Sequence, residues 1–304
     1  MAANYWDSSQ VKYWTFTRDD LSRTRNALSE ANRALHTKYE LPESRHMNIF
    51  LQQQVVKLGR RLNLRQQVLA TAQIYIRRFY TKVEIRRTNP YLVMTTALYL
   101  ACKMEECPIH IRSMFGEAAR HWPELGISDT SKIGECEFHL ISTLSSRLII
   151  HHPYRTLHDL TELNMTTDES SLASMIINDH YNTDLPFLYP PHVIAVTAIF
   201  LAVVLRPTQT GLQAHSTSSN TGAASASQVQ QAVQQGLGSI TKTHHTRVMR
   251  IVEWLAETRV DMEAVIYATQ DLISLYEVWE SYSERPCKEG ISRFLKDGVH
   301  IVGT

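Results

Sequence analysis

PYLVMTTALYLACK, running from Pro90 to Lys103, can be written above PHVIAVTAIFLAVV, from Pro191 to Val204, at an offset of 101 residues. Ala97, Leu100 and Ala101 then meet Ala198, Leu201 and Ala202, while Leu98 and Tyr99 meet Ile199 and Phe200. The register continues upstream without a gap. Ala72, Ile76 and Tyr80 meet Ala173, Ile177 and Tyr181, and Leu62-Asn63 meets Leu163-Asn164. Two Leu/Ala-rich helices can match by accident, but three segments in one register indicate an internal duplication. Apolar residues recur at spacings of three and four almost throughout, and alternating strand patterns are nearly absent. The expected fold class is all-α, with two tandem five-helix repeats behind an N-terminal helical extension.

At 304 residues the chain can hold two domains of ordinary size, each with its own core. A net charge of +1 gives no global field that would draw nucleic acid or a membrane, so any such partner needs a local patch. Cys102, Cys107, Cys136 and Cys287 form no CxxC pair, which fits a reducing compartment. The opening MAANYWDSSQ lacks the basic and apolar regions of a signal peptide. The longest apolar run, Val193 to Leu205, falls short of the roughly 20 residues that span a bilayer. No membrane partner is expected.

The expected organisation is an extension at 1–40, a first repeat at 41–147, a link at 148–152, a second repeat at 153–283 and a tail at 284–304. In the first repeat a helix from about Glu43 carries Met47, Leu51, Val55, Leu58 and Leu62 on one face. The next follows Asn63, a candidate N-cap with Gln66 in the capping-box position. The third opens at Asn89-Pro90, with proline where its missing N–H costs nothing. A shorter helix is expected near 111–121, and a fifth carries Ile133, Cys136, Leu140, Ile141 and Leu144. Helices are expected again near 153–164, 168–183, 190–205, 246–257 and 261–282. The segment 206–246 is rich in Ser, Thr, Gln, Ala and Gly, and reads as an insertion too poor in apolar surface to order itself. Within it Val229, Val233, Leu237 and Ile240 have the spacing of a weak helix.

No Gly-rich phosphate loop, GxSxG elbow, HExxH or kinase catalytic loop occurs. Cys102, Cys107 and His110 lack a standard ligand spacing, so no metal site and no cofactor are expected. Glu137 falls in the apolar stripe of the fifth helix, where a carboxylate calls for a cation, and Lys103 ends the third helix. Either the two pair, or Lys103 is a solvated helix end and Glu137 lies at the stripe's edge. Nine Lys/Arg against one acid between Lys57 and Arg87 form either a phosphate-binding surface or the polar faces of two amphipathic helices.

The duplicated plan, a lysine ending the third helix and a glutamate in the fifth resemble the cyclin family. The strings LRQQVLATAQIYIRRFY (64–80), ACKMEE (101–106), ECEFHLI (135–141), HHPYR (151–155) and TDLPFLYPP (183–191) are similar to its C-type branch, the partners of the Mediator-associated cyclin-dependent kinase. The resemblance implies a non-catalytic nuclear subunit that binds and activates that kinase beside other Mediator kinase-module subunits. It implies a pair between Lys103 and Glu137, with Met104, Glu106 and Ile141 at the same kinase contact. The N-terminal aromatics Trp6, Tyr13 and Trp14 form either a further partner surface or part of the protein's own core packing.

Cell-cycle cyclins carry an MRAIL string and a nearby tryptophan for docking substrates. Here the string is Met47-Asn-Ile-Phe-Leu51, with Gln54 in the tryptophan's place, so such docking is not expected. The alternative function is a nucleic-acid-binding general factor of the TFIIB type, motivated by the basic run. The zinc ribbon of that class is missing, and direct DNA binding is disfavoured.

Overall fold

The computed structural model describes residues 4–127, 129–160, 163–205 and 242–297. Within these the chain forms α-helices and short 3-10 turns, and no strand. It divides into two compact units, 1–151 together with 282–304, and 152–281.

The first unit opens with α1 (Ser9–Trp14), α2 (Arg18–Ala31) and α3 (Arg33–Lys38). The bundle proper is α4 (Ser44–Arg61), α5 (Gln66–Tyr80), α6 (Pro90–Met104), α7 (Ile111–His121) and α8 (Ser131–Thr143). Helix α6 is its centre. Twelve of its fifteen residues are buried, from Pro90 to Leu98 and from Leu100 to Cys102, which is why its sequence has no polar stripe. Helix α5 is buried from Val68 to Phe79 and packs Val68, Ala72, Ile76 and Phe79 in the core, while α8 buries a narrower stripe, Ile133, Cys136 and Leu140. Each large side chain so buried stabilises the unit by about 1.5–3 kcal/mol before ordering costs.

The second unit contains α9 (Tyr154–Asp159), α10 (Thr167–His180), α11 (Leu185–Leu188), α12 (Pro191–Val204), α13 (Lys242–Glu257) and α14 (Met262–Ser281). The offset of 101 carries α5 onto α10 and α6 onto α12 with matching starts. Ala173, Ile177, Ala198 and Ala202 are fully buried, as are Ala72, Ile76, Ala97 and Ala101. Helix α10 begins with a complete capping box between Thr166 and Glu169, and Arg247 of α13 reaches the same carboxylate at 3.0 Å.

Three elements differ from the sequence reading. Asn63 does not cap α5. It has φ 52°, and its N–H donates to Arg60 O at 3.0 Å while that of Leu64 donates to Gly59 O at 2.9 Å, so it terminates α4. Asn164, its repeat partner, is also left-handed, at φ 45°. The segment after Ser283, read as a tail, forms α15 (Glu284–Lys296) and belongs to the first unit. Its Cys287, Ile291 and Phe294 are buried, Gly290 leaves no room for a Cβ against Leu41, and Lys57 binds Glu284 at 2.6 Å. Helix α13, expected near 246–257, begins earlier, at Lys242. The rest of the proposed insertion, including Val229 to Ile240, lies outside the described residues.

Candidate functional site

The site is built on the C-terminal end of α6. Asn89 fixes the opposite end by accepting from Tyr91 N at 3.0 Å and Leu92 N at 3.3 Å, with Pro90 in the first turn. With its start capped and its body buried, the last turn emerges at a defined point, and Lys103 stands there. Lys103 Nζ donates to both carboxylate oxygens of Glu137 on α8, at 2.8 Å each. It also lies 4.4 Å from the ring centre of Tyr99. Partial burial pulls the ammonium pKa down, but the bond and charge of Glu137, with Tyr99, outweigh this and leave it raised. The side chains are 45% and 15% exposed, so the pair adds at most about 1 kcal/mol to stability. Its main effect is to hold a charged edge in one geometry.

The turn after Lys103 is strained. Glu106 N–H donates to Lys103 O at 3.4 Å and Cys107 N–H to Cys102 O at 2.9 Å, a Schellman turn whose left-handed position usually falls to glycine. Here it is Glu106, at φ 51°. Glu105 points inward and accepts from Gln67 Nε2 and Thr71 Oγ1, both at 2.6 Å, tying α6 to α5. The two glutamates therefore divide the work. One fastens the bundle, while the other projects beside exposed Met104.

Ile141 is half-buried on α8, one turn after Glu137. Between them stands Phe138, 78% exposed, which the sequence reading did not single out. Its signal was available, since it is an aromatic residue off the buried stripe of its own helix. Lys103, Glu137 and Tyr99 thus meet at the end of α6, while Met104 and Glu106 lie on the turn after Lys103, and Phe138 and Ile141 lie on α8 next to and one turn after Glu137.

The N-terminal aromatics separate. Trp6 and Tyr13 are 60% and 51% exposed, whereas Trp14 is 1% exposed and is not a partner surface. The Arg78 guanidinium and Lys82 ammonium lie 4.7 and 4.8 Å from the Trp14 ring centre, so it anchors α1 to α5. Burial pushes the Arg78 pKa down to about 9.

The basic run divides between buried and exposed positions. Arg77, Arg78 and Arg86 are buried, Lys57 is held by Glu284, and Lys82 donates to Thr143 O at 2.9 Å. Lys57, Arg60, Arg61, Arg65, Lys82 and Arg87 are exposed, and Arg87 donates to Asn32 Oδ1 at 2.7 Å. Gln54 is buried too, accepting from Trp122 Nε1 at 3.0 Å and donating to Glu284 of α15 at 2.9 Å. Among the described residues no group of three or more His, Cys, Asp and Glu could hold a metal ion. No helix among them is long and apolar enough to cross a membrane.

Residues 20–149 match the family model for the cyclin N-terminal domain. The chain is 54% identical over 297 residues to the RNA polymerase II holoenzyme cyclin-like subunit of Aspergillus terreus, covering 97% of this chain and 98% of that one. It belongs to the cyclin family. As a cyclin it is a regulatory subunit without catalysis of its own. The protein of the same description from Neurospora crassa is 45% identical over 339 residues, covering 97% and 98% of the two chains. Among solved structures, the CAK complex from Chaetomium thermophilum bound to ATP-gamma-S contains a chain similar at TM-score 0.62 and 20% identity. The match covers 96% of this cyclin and 88% of that chain. A chain of the yeast TFIIK complex matches at TM-score 0.52 and 21% identity, over 81% and 98%. At these identities the likeness concerns the cyclin fold alone.

Proposed function

We propose that this cyclin is the activating subunit of a nuclear cyclin-dependent kinase acting on RNA polymerase II transcription, of the C-type that serves in the Mediator kinase module. The observation that carries the reading is the Lys103–Glu137 pair joining α6 to α8, with Met104, Glu106 and Ile141 on the adjoining turns. The full-length similarity to RNA polymerase II holoenzyme cyclin-like subunits supports the same reading. We read 41–147 as the box that holds this edge and 153–283 as the second box, with Trp6 and Tyr13 offering a further contact for kinase-module subunits.

The mechanism is a population shift. A kinase's αC helix samples inward and outward positions, and catalysis needs it inward so that its glutamate pairs with the ATP-site lysine. A rigid edge that binds only the inward form stabilises it by the difference in binding free energy between the two forms. Lys103 and Glu137 supply the fixed charges, while Phe138, Met104 and Ile141 supply apolar contact. The cyclin forms and breaks no covalent bond.

The test is reconstitution of the purified kinase with Lys103→Glu, Glu137→Lys and the doubly exchanged cyclin. Each single variant should keep its helicity and melting behaviour yet lose at least tenfold in kinase affinity and activation, with partial recovery in the exchanged pair. Wild-type binding and activation by both folded single variants would refute the assignment of this edge.

A further inference from the structure

The second unit carries a counterpart of the kinase-facing edge, and its chemistry is different. Along α8 and its C-cap the buried residues Ile133, Cys136, Leu140 and Leu144 are spaced three, four and four apart. In α14 Val265, Ala268, Leu272 and Tyr276 are buried with the same spacing, which sets an offset of 132 between the two helices. Glu137 then corresponds to Thr269, Phe138 to Gln270, Ile141 to Ile273 and Gly134 to Ile266, while the offset of 101 pairs Lys103 with Val204. The charge pair is absent from these positions. The outer face of α14 instead presents Met262, Ile266 and Ile273, which are 41%, 53% and 40% exposed and lie within one narrow stripe of the helix. Large apolar side chains repeated along one exposed helix face mark a contact surface rather than scattered exposure.

The charges around the stripe define what can cover it. Helix α14 carries Glu263, Asp271, Glu277 and Glu280, and no lysine or arginine. That field repels nucleic acid and anionic lipid and favours a cationic rim on the partner. The stripe runs about 16 Å along a straight helix, a shape complemented by a second helix lying along it. We propose that the outer face of α14 is a second docking surface of this cyclin, for an amphipathic helix of another protein whose apolar stripe is flanked by lysine or arginine. The kinase is a different protein from this partner, and only that distinction rests on the function proposed above. Two boxes of one ancestry would then hold two partners, one on a charged edge and the other on an apolar face.

The experiment uses the full-length cyclin expressed in its host cell with its kinase, with Gln270 replaced by the photo-crosslinker p-benzoylphenylalanine. Crosslinked peptides are mapped by mass spectrometry. The expected product joins residue 270 to an amphipathic, Lys/Arg-flanked segment of a protein other than the kinase. Its yield should fall at least fivefold in both Ile266→Asp/Ile273→Asp and Glu263→Lys/Glu277→Lys, with copurified kinase changing less than twofold. Crosslinks confined to residues 206–241 of this chain, to a second copy or to the kinase would overturn the proposal. So would the absence of any crosslink, or a yield indifferent to the charge reversal. Kinase copurification is read in the same samples, so failure of the kinase assignment appears separately.

Discussion

Helices α6 and α12 begin alike, with proline in the first turn, and bury nearly the same positions, but they end differently. In the first unit the last turn delivers Lys103 to Glu137 beside Tyr99, while in the second the corresponding residues are Val204, Thr269 and Phe200. A second contrast lies inside the bundles. Arg78 and Asp179 occupy equivalent positions at the offset of 101, one a buried base and the other a half-buried acid. Arg78 stacks on Trp14 and donates to Arg147 O at 3.3 Å, whereas Asp179 accepts from the Tyr276 hydroxyl at 3.2 Å. Duplication kept the apolar lattice and let the polar positions diverge. Packing therefore reports ancestry in this molecule, and the charged differences report function.

If the two lattices are equivalent, Leu98→Ala and Ile199→Ala, at paired and fully buried positions, should each cost about 2–5 kcal/mol in chemical denaturation. A loss below 1 kcal/mol in one of them would break the equivalence.

The half-buried acid Asp179 gives the next largest effect. Burial raises the Asp179 pKa from 3.8 to about 7, with the Tyr276 hydrogen bond opposing the rise. Between those values the unfolded chain has lost this proton and the folded chain retains it, so stability falls as pH rises from about 4 to 7. The slope from this group is at most about 1.4 kcal/mol per pH unit. Asp179→Asn should remove that part of the slope in pH-dependent melting, and an unchanged profile would show that Tyr276 holds the carboxylate ionised.

Glu106 offers the smallest stability change and separates folding from binding. Glu106→Gly relieves the left-handed strain and should stabilise the fold by up to about 1 kcal/mol, while kinase affinity falls because the projecting carboxylate is gone. A variant that is more stable and binds equally well would remove Glu106 from the contact.

What the sequence revealed followed the physics of each feature. Periodicity and repeat register placed α5, α6, α10 and α12, because a buried helix must be apolar at fixed intervals whatever its surroundings. The Asn89-Pro90 start was readable because capping is local. The pairing of Lys103 with Glu137 was readable only as one of two options, since pattern cannot tell a buried stripe from its edge. Asn63 was misassigned because asparagine suits both a helix start and a left-handed stop, and only the turn geometry distinguishes them. Trp14 was readable only as a surface contact or a core residue, because its partners, Arg78 and Lys82, are more than sixty residues away. Helix α15 was overlooked although Cys287, Ile291 and Phe294 have helical spacing, because the bundle it joins is remote in sequence.

The central claim is that the first unit's charged edge, and not its uncharged counterpart, engages the kinase. It is tested most directly by measuring kinase affinity for Lys103→Glu and Val204→Glu side by side in the full chain. Lys103→Glu should weaken affinity at least tenfold and Val204→Glu less than twofold, with both variants folded. Equal losses, or a loss confined to Val204→Glu, would contradict it.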